Sequence, residues 1–440
     1  MSFTTGQLVK YVHGNLLGDS EVCCIGAEID SRRQLAGKVF FALKGEQTDG
    51  HDFVQSAVEN GCAAIVAERF CAANVPVVVV EDAKNALFQL AVARRNEMQF
   101  DAVIAVTGSV GKTTTKDILA CLLGEKVAAS MDSFNNDLGV PLTVLDAEHA
   151  DYLVAEIGAN AIGEIEPLAS LTRPDIAIIT SIEKAHLEGF GDMKTVLREK
   201  GKLLQAVPAS GFVIVPDSID VSSLAISASI VRVGMSDSAD VQLKTGIDCN
   251  GFATVSIDGN SATLSLLGEH NAMNAALAVV AVSKTNRGLA ISALLELATN
   301  AIPAKGRLAT TVVDGISFVN DAYNANPASM RSALQLFSKM QAKRKVLVLG
   351  DMLELGESSH CEHRSLVSCI ENANAEVVFL VGDEMKAASS VGASIQLDVS
   401  DLDSIVPLLK RDDLVLLKGS RGLRLEQIID LVQQTKVLEH

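Results

Sequence analysis

Three α/β domains in series are predicted by the length of the chain, by short apolar runs alternating with helical stretches, and by two breaks in that alternation. At 440 residues the chain exceeds what one hydrophobic core ordinarily serves. Hydrophobic residues make up 48% and charged residues 21%, so apolar surface is ample for several packed cores.

The runs Val39–Leu43, Ala63–Ala67 and Val77–Val80 read as buried parallel strands of a small first domain, residues 1–96. Val103–Thr107, Leu153–Ile157, Ile176–Thr180 and Phe212–Val215 do the same for a central domain, residues 97–304. Val346–Leu349, Val377–Val381 and Leu414–Leu417 belong to a third, residues 305–440. A helical stretch from Ala83 stops near Arg94-Arg95-Asn96, which sets the first boundary. Pro303-Ala304-Lys305-Gly306-Arg307 combines two breakers after a helical stretch and suits a hinge.

Acidic side chains number 54 against 37 basic ones, a formal charge of −17, so no general attraction to nucleic acid or an anionic membrane is expected. A phosphate ligand must therefore meet a local site. The opening MSFTTGQLVKYVHG lacks a signal-peptide layout, and no apolar run reaches the roughly 18 residues of a membrane span. The eight cysteines contain no CxxC pair, which favours reduced thiols. A cytoplasmic monomer is expected. Leu438-Glu439-His440 read as the remnant of an affinity tag and are set aside.

Such a local site follows the strand Ala102–Val106. Thr107-Gly108-Ser109-Val110-Gly111-Lys112-Thr113-Thr114 leads into a helical stretch, Lys116–Leu123. Glycines let several backbone N–H groups converge on phosphate oxygens at a helix N-terminus. Lys112 would reach the β- and γ-phosphates, and the Thr113 hydroxyl would hold Mg²⁺. Val106 stands where the general pattern has glycine, so the loop is a GxxGKT variant. ATP or GTP binding follows, without distinguishing a ligase from a kinase, motor or switch.

Glu156 lies near the carboxyl end of the strand Leu153–Ile157, where a carboxylate in an open α/β sheet can bind a phosphate-bound cation. His186 follows the next strand and could ligate a second cation. Arg198, Lys200 and Lys202, taken singly, read as a solvated basic face of a helix starting near Met193. His360-Cys361-Glu362-His363 lacks zinc spacing and reads as a surface helix.

Together these segments resemble the Mur ligases, a family whose relatives include folylpolyglutamate synthases. Thr107–Thr114 is similar to the family's TGxxGKT loop, and Glu156 and His186 to its metal glutamate and histidine. Gly268-Glu269-His270-Asn271-Ala272-Met273-Asn274 is similar to its HNxxN segment, and Lys305-Gly306-Arg307 to its hinge arginine. Asn320-Asp321-Ala322-Tyr323-Asn324-Ala325-Asn326-Pro327 is similar to the member that adds D-alanyl-D-alanine to UDP-N-acetylmuramoyl-tripeptide. Asn135–Pro141, Gly350–Gly356 and Lys418-Gly419-Ser420-Arg421 agree with that member.

The resemblance implies a UDP-sugar-binding first domain, a P-loop ATPase-like central domain with a mostly parallel sheet, and a Rossmann-like third domain that receives the dipeptide and part of ATP. It implies an acyl phosphate mechanism with ATP and Mg²⁺ and the pentapeptide as product. Gly108, Ser109, Val110, Gly111, Lys112, Thr113 and Thr114 would hold the phosphates together with Arg307. Asn271, Asn274 and Asn324 would lie near adenine, and Asp321 near ribose. Thr113, Glu156, His186 and Lys200 would hold the cations. Ser31, Arg32, Thr48, Asp49 and His51 would bind the UDP-sugar, while Asn135, Asn136, Lys418, Ser420 and Arg421 would meet the substrates. The equivalent of Lys200 is carbamylated in several members after an alanine, whereas Glu199 precedes it here, so carbamate and plain ammonium both stay open. Alternatives are another Mur-type or folylpolyglutamate-type ligase, or a nucleotide-binding switch. The motifs leave open whether the tripeptide ends in diaminopimelate or lysine.

Overall fold

The computed structural model describes residues 2–45, 48–183, 192–390, 392 and 394–437. His186, and Glu46 and Gln47 of the first-domain motif, lie outside the described residues.

Three large sheets carry the fold. The first has five strands in the order Asn15–Leu17, Val77–Val79, Ala64–Ala67, Val39–Phe41 and Ala27–Glu28, parallel except for its first pair. The second has nine strands. Its outer half runs Asn260–Leu267, Phe252–Ile257, Val241–Ile247, Ser229–Gly234, and its inner half Phe212–Pro216, Ile176–Ile179, Ala102–Thr107, Tyr152–Glu156, Val127–Ala129. The third has six strands, ordered Ala309–Val313, Ile316–Asn320, Asp413–Lys418, Arg344–Gly350, Val377–Val381 and Ser394–Leu397. Each apolar run singled out above overlaps one of these strands, with ends that differ by at most two residues. The remaining strands were not anticipated. Ala309–Val313 is a largely exposed edge, and Asn260–Leu267 alternates exposed and buried positions, so neither makes a continuous apolar run.

The central strand Ala102–Thr107 is wholly buried because helices cover both sheet faces. Val103 and Ala105 enter one apolar cluster, Ile104 and Val106 the other, as the two-residue period of a strand requires. From this strand the chain proceeds to Val127–Ala129 and Tyr152–Glu156 on one side and then to Ile176–Ile179 on the other. That reversal opens a crevice at the strands' carboxyl ends, where open α/β sheets bind ligands.

The first cluster does not stop at the domain boundary. It runs from Phe3 through the helix Ala83–Glu97 to Ala228, and that helix packs on the helices Gly139–Leu145 and Ile165–Thr172.

Candidate functional site

Between the carboxyl ends of the second and third sheets lies a cavity of about 370 Å³. Its floor is the turn from Thr107 into the helix Lys112–Leu123. Gly108 has φ +150°, and a Cβ there would lie 2.0 Å from Thr180 Oγ1. Gly111 has φ +88°, and a Cβ there would lie 2.5 Å from Asn274 Oδ1. Both positions thus require glycine, and Gly111 brings the turn against the helix His270–Ser283. Asn274 Nδ2 donates to Asn271 Oδ1 at 2.8 Å, and Asn271 Nδ2 to Leu267 O at 2.8 Å.

Lys112 Nζ donates to Gly108 O at 2.8 Å, which keeps its ammonium over the turn. Enclosure lowers its pKa; Glu156 opposes that and Arg307 adds to it. Thr113 Oγ1 is 3.2 Å from Ser133 Oγ, to which Arg307 Nη2 donates, also at 3.2 Å. Arg307 belongs to the hinge and stacks over Tyr323 at 4.4 Å.

Glu156 is fully buried at the end of its strand. Asn135 Nδ2 donates to its Oε1 at 2.8 Å, whereas Oε2 is inaccessible and has no hydrogen-bond partner among the described residues. A carboxylate oxygen so placed beside a phosphate-type loop and a threonine hydroxyl has the donor chemistry a hard divalent cation needs.

Lys200 corrects the reading of a solvated basic face. Arg198 is exposed, but Lys200 is only 3% exposed, because the helix Met193–Gln205 turns this position inward. Burial lowers its pKa to about 7, the Lys112 charge contributes, and Glu199 opposes. Lys200, Lys112 and Glu156 are therefore within electrostatic reach of one another in sequence: Lys200 of Lys112, and Lys112 of Glu156.

From the third sheet, Lys418 Nζ enters the same cavity and donates to Asp321 Oδ2 at 2.6 Å and to Asn324 O at 3.2 Å. Asn271, Asn274, Arg307, Asp321 and Asn324 all line this cavity with Ser109–Thr114. Sequence reasoning missed Ser133, Asn160, Tyr323 and Glu183, which line it too. Ser109 Oγ bonds both the N–H and the carbonyl of Glu183, and burial pushes the Glu183 carboxyl up. Its only signal in the sequence was a place just past a strand end.

Other anticipated positions are distributed differently. Ser31, Arg32 and Thr48 line a separate cavity of about 680 Å³ on the first sheet, with Phe134 from the central domain. Arg32 is paired there with Asp30, which it holds down to about 2. Asp49 and His51 do not line it: the His51 ring meets Asp49 Oδ1 at 2.6 Å and accepts the Glu68 N–H through Nε2. Ser420 Oγ is buried and accepts the Leu353 N–H at 2.9 Å, and Arg421 pairs with Glu426 at 2.7 Å. Asn136 Oδ1 accepts from the N–H groups of Leu138 and Gly139, a local turn bond that opens the following helix. His360-Cys361-Glu362-His363 lies on a helix, as expected, but His363 is not at the surface. It is fully buried, accepting the Met352 N–H and donating to Ser359 O.

Comparison with known proteins gives three consecutive matches: "Mur ligase family, catalytic domain" over residues 26–106, "Mur ligase middle domain" over 106–282, and "Mur ligase, glutamate ligase domain" over 306–421. The chain is 34% identical to the UDP-N-acetylmuramoyl-tripeptide–D-alanyl-D-alanine ligase of Bacillus subtilis, with 98% of each chain covered. Among solved structures, the UDP-N-acetylmuramoylalanyl-D-glutamyl-2,6-diaminopimelate–D-alanyl-D-alanyl ligase of Acinetobacter baumannii is 30% identical with a TM-score of 0.83, covering 100% of this chain and 99% of that one. The MurF ligase of Thermotoga maritima in complex with ADP is 26% identical with a TM-score of 0.79, covering 94% and 99%.

Proposed function

Because the chain belongs to the Mur ligase family, we propose that it uses ATP to join D-alanyl-D-alanine to a UDP-N-acetylmuramoyl-tripeptide, giving the pentapeptide precursor of peptidoglycan. The observation that carries this is the cavity in which a phosphate loop, a buried carboxylate, Arg307 of the hinge and Lys418 of the third sheet face one another.

In the first step a carboxylate oxygen of the tripeptide attacks the γ-phosphorus and ADP leaves, which creates an acyl phosphate. In the second the amine nitrogen attacks the acyl carbon, phosphate leaves, and the nitrogen gives up a proton. Carboxylate and triphosphate repel, so positive groups fixed before they meet lower the barrier. Lys112 and the loop N–H groups supply this on the phosphate side, and Arg307 adds a guanidinium from the hinge. Asn135 orients Glu156 by holding one carboxylate oxygen, leaving the other for a cation. Thr113, Glu156, Lys200 and His186 would hold Mg²⁺, which would supply charge neutralisation for the meeting of the two anions.

Lys200 fits a carbamate. A buried lysine with a pKa of about 7 is a free amine in a large fraction of molecules near neutrality, and only the free amine adds to CO₂. The amine nitrogen bonds the CO₂ carbon and releases one proton, and the resulting anion attracts a cation that the ammonium would repel.

A cytoplasmic monomer agrees with this reading. All eight cysteines are free, and among the described residues no helix is long and apolar enough to cross a membrane. Phosphate release with each substrate omitted in turn tests the proposal: release should require ATP, the UDP-tripeptide and D-alanyl-D-alanine together. Equal release from ATP alone would leave only a nucleotide hydrolase.

A further inference from the structure

A third cavity, of about 490 Å³, lies between the first domain and the central one. Its walls come from the start of the helix Ala83–Glu97 and from the segments around Asn136 and Asn160. It shares Lys84 with the first-sheet cavity and Asn160 with the nucleotide cavity, so the three form a series. A substrate whose sugar nucleotide lies at one end and whose reacting carboxylate lies at the other must thread its peptide through the middle member.

The lining of that middle cavity is chemically uneven. Phe88, Pro167 and Leu168 give it an apolar wall. Lys84 supplies its one basic side chain among the lining residues, against the acids Asp82, Asp137 and Glu164. Lys84 pairs with Asp137 at 2.5 Å, and both side chains are more than half exposed, so this pair is weak and exchangeable. Asp82 caps its helix by accepting the Asn85 N–H. Glu164 accepts the Asn160 N–H at 2.8 Å through Oε2 and has no ion-pair partner among the described residues. That bond fixes Glu164 at the end of the cavity nearest the phosphate loop, whereas Lys84 stands at the sugar end.

We propose that this middle cavity reads the peptide of the acyl substrate, with Glu164 receiving a side-chain ammonium of the third residue and Lys84 the free carboxylate of the second. The inference rests on the proposed ligase function. It also uses the alanyl-D-glutamyl-2,6-diaminopimelate order in the name of the Acinetobacter relative. The ammonium is common to diaminopimelate and lysine, and the excess of acid over base in the lining favours either over an uncharged side chain. Lys84 can leave Asp137 for the glutamyl carboxylate at little cost, because both partners are solvated.

The test compares UDP-muramoyl-tripeptides ending in diaminopimelate, lysine or norleucine, the last having no side-chain amine. The wild-type protein should use norleucine with kcat/KM lower by about tenfold or more than the two amine-bearing substrates, the scale on which a lost specific contact discriminates. Glu164→Gln should reduce that ratio to about twofold or less, because the carboxamide carries no charge to lose. Lys84→Gln should raise KM for all three peptides alike and leave the ratio standing. Melting temperatures of both variants, with KM for ATP as a second control, separate a reading defect from misfolding. A wild-type ratio near one, or an unchanged ratio in Glu164→Gln, overturns the assignment while leaving the ligase intact. Failure of every tripeptide to support phosphate release overturns the function itself, and the assignment with it.

Discussion

The two junctions between domains are built on opposite principles. The first and central domains share one apolar cluster from Phe3 to Ala228, reinforced by Lys38–Asp146 at 2.8 Å and by Arg95 donating to Thr172 O at 3.1 Å. At the second junction the chain passes through Ala301–Leu308, and Arg307 reaches the central domain by one polar bond to Ser133. Apolar contact there comes from Leu267, Ile247 and Phe252, at the ends of three strands of the second sheet. One junction is a core and the other a joint. The loop Gly108–Thr114 and Glu156 stand on the fused pair of domains, while Asp321, Asn324 and Lys418 stand on the domain beyond the joint. Stability and catalysis should therefore respond to different substitutions.

The sharpest separation is expected at Lys112. Lys112→Ala should lower turnover by about 100- to 1,000-fold, the scale seen when one transition-state donor is removed, with no change in melting temperature. A fall in melting temperature of several degrees would assign this lysine to structure instead.

Lys200→Ala should lose nearly as much and regain activity when short carboxylic acids are added, since these can fill the vacated space and restore the negative charge. Lys200→Arg should not be rescued, because a cation still occupies the site. The wild-type protein should lose activity in CO₂-free buffer and recover when bicarbonate is added, fully above about pH 7 and progressively less below it, where the amine is protonated. Full activity of Lys200→Ala without additive would rule out the carbamate.

On the fused side, Leu90→Ala removes a fully buried side chain of the shared cluster and should cost about 2–5 kcal/mol of stability. The first and central domains should still melt in a single transition. An early, separate melting of the first domain would break the comparison drawn above.

The smallest signal is geometric. Small-angle scattering should show compaction when an ATP analogue and UDP-muramoyl-tripeptide bind together, through rotation about residues 303–307. Identical profiles at saturation would mean that the joint does not move.

How much of this was legible in the sequence depended on whether a local pattern carried the information. Parallel strands buried on both faces are continuous apolar runs, so Ala102–Thr107 and its neighbours could be read directly. Strands such as Phe252–Ile257, with alternating half-buried and buried positions, lack that mark and were missed. The phosphate loop was legible because its glycines, lysine and threonine are consecutive. Lys200 was legible only through the family resemblance, since helical spacing alone does not say which face of the helix Met193–Gln205 packs inward. Asp49, His51 and Ser420, expected at the substrates, bond to the protein's own backbone or to each other, an arrangement that only the fold reveals. Ser133 and Asn160 sit in segments without regular structure, and nothing in their neighbours marks them.

The shared cluster beneath the first and central domains has one more consequence. With the first-sheet cavity and the phosphate loop anchored to one shared base, the span between them is set, and a substrate that bridges them would be gauged by its length. Each peptide residue spans at most about 3.6 Å, so a precursor one residue short would leave its carboxylate stranded by roughly that distance. Misplacement by about 1 Å can already cost a reaction 100-fold. An unfinished precursor would be turned away by its length alone, before any side chain is inspected.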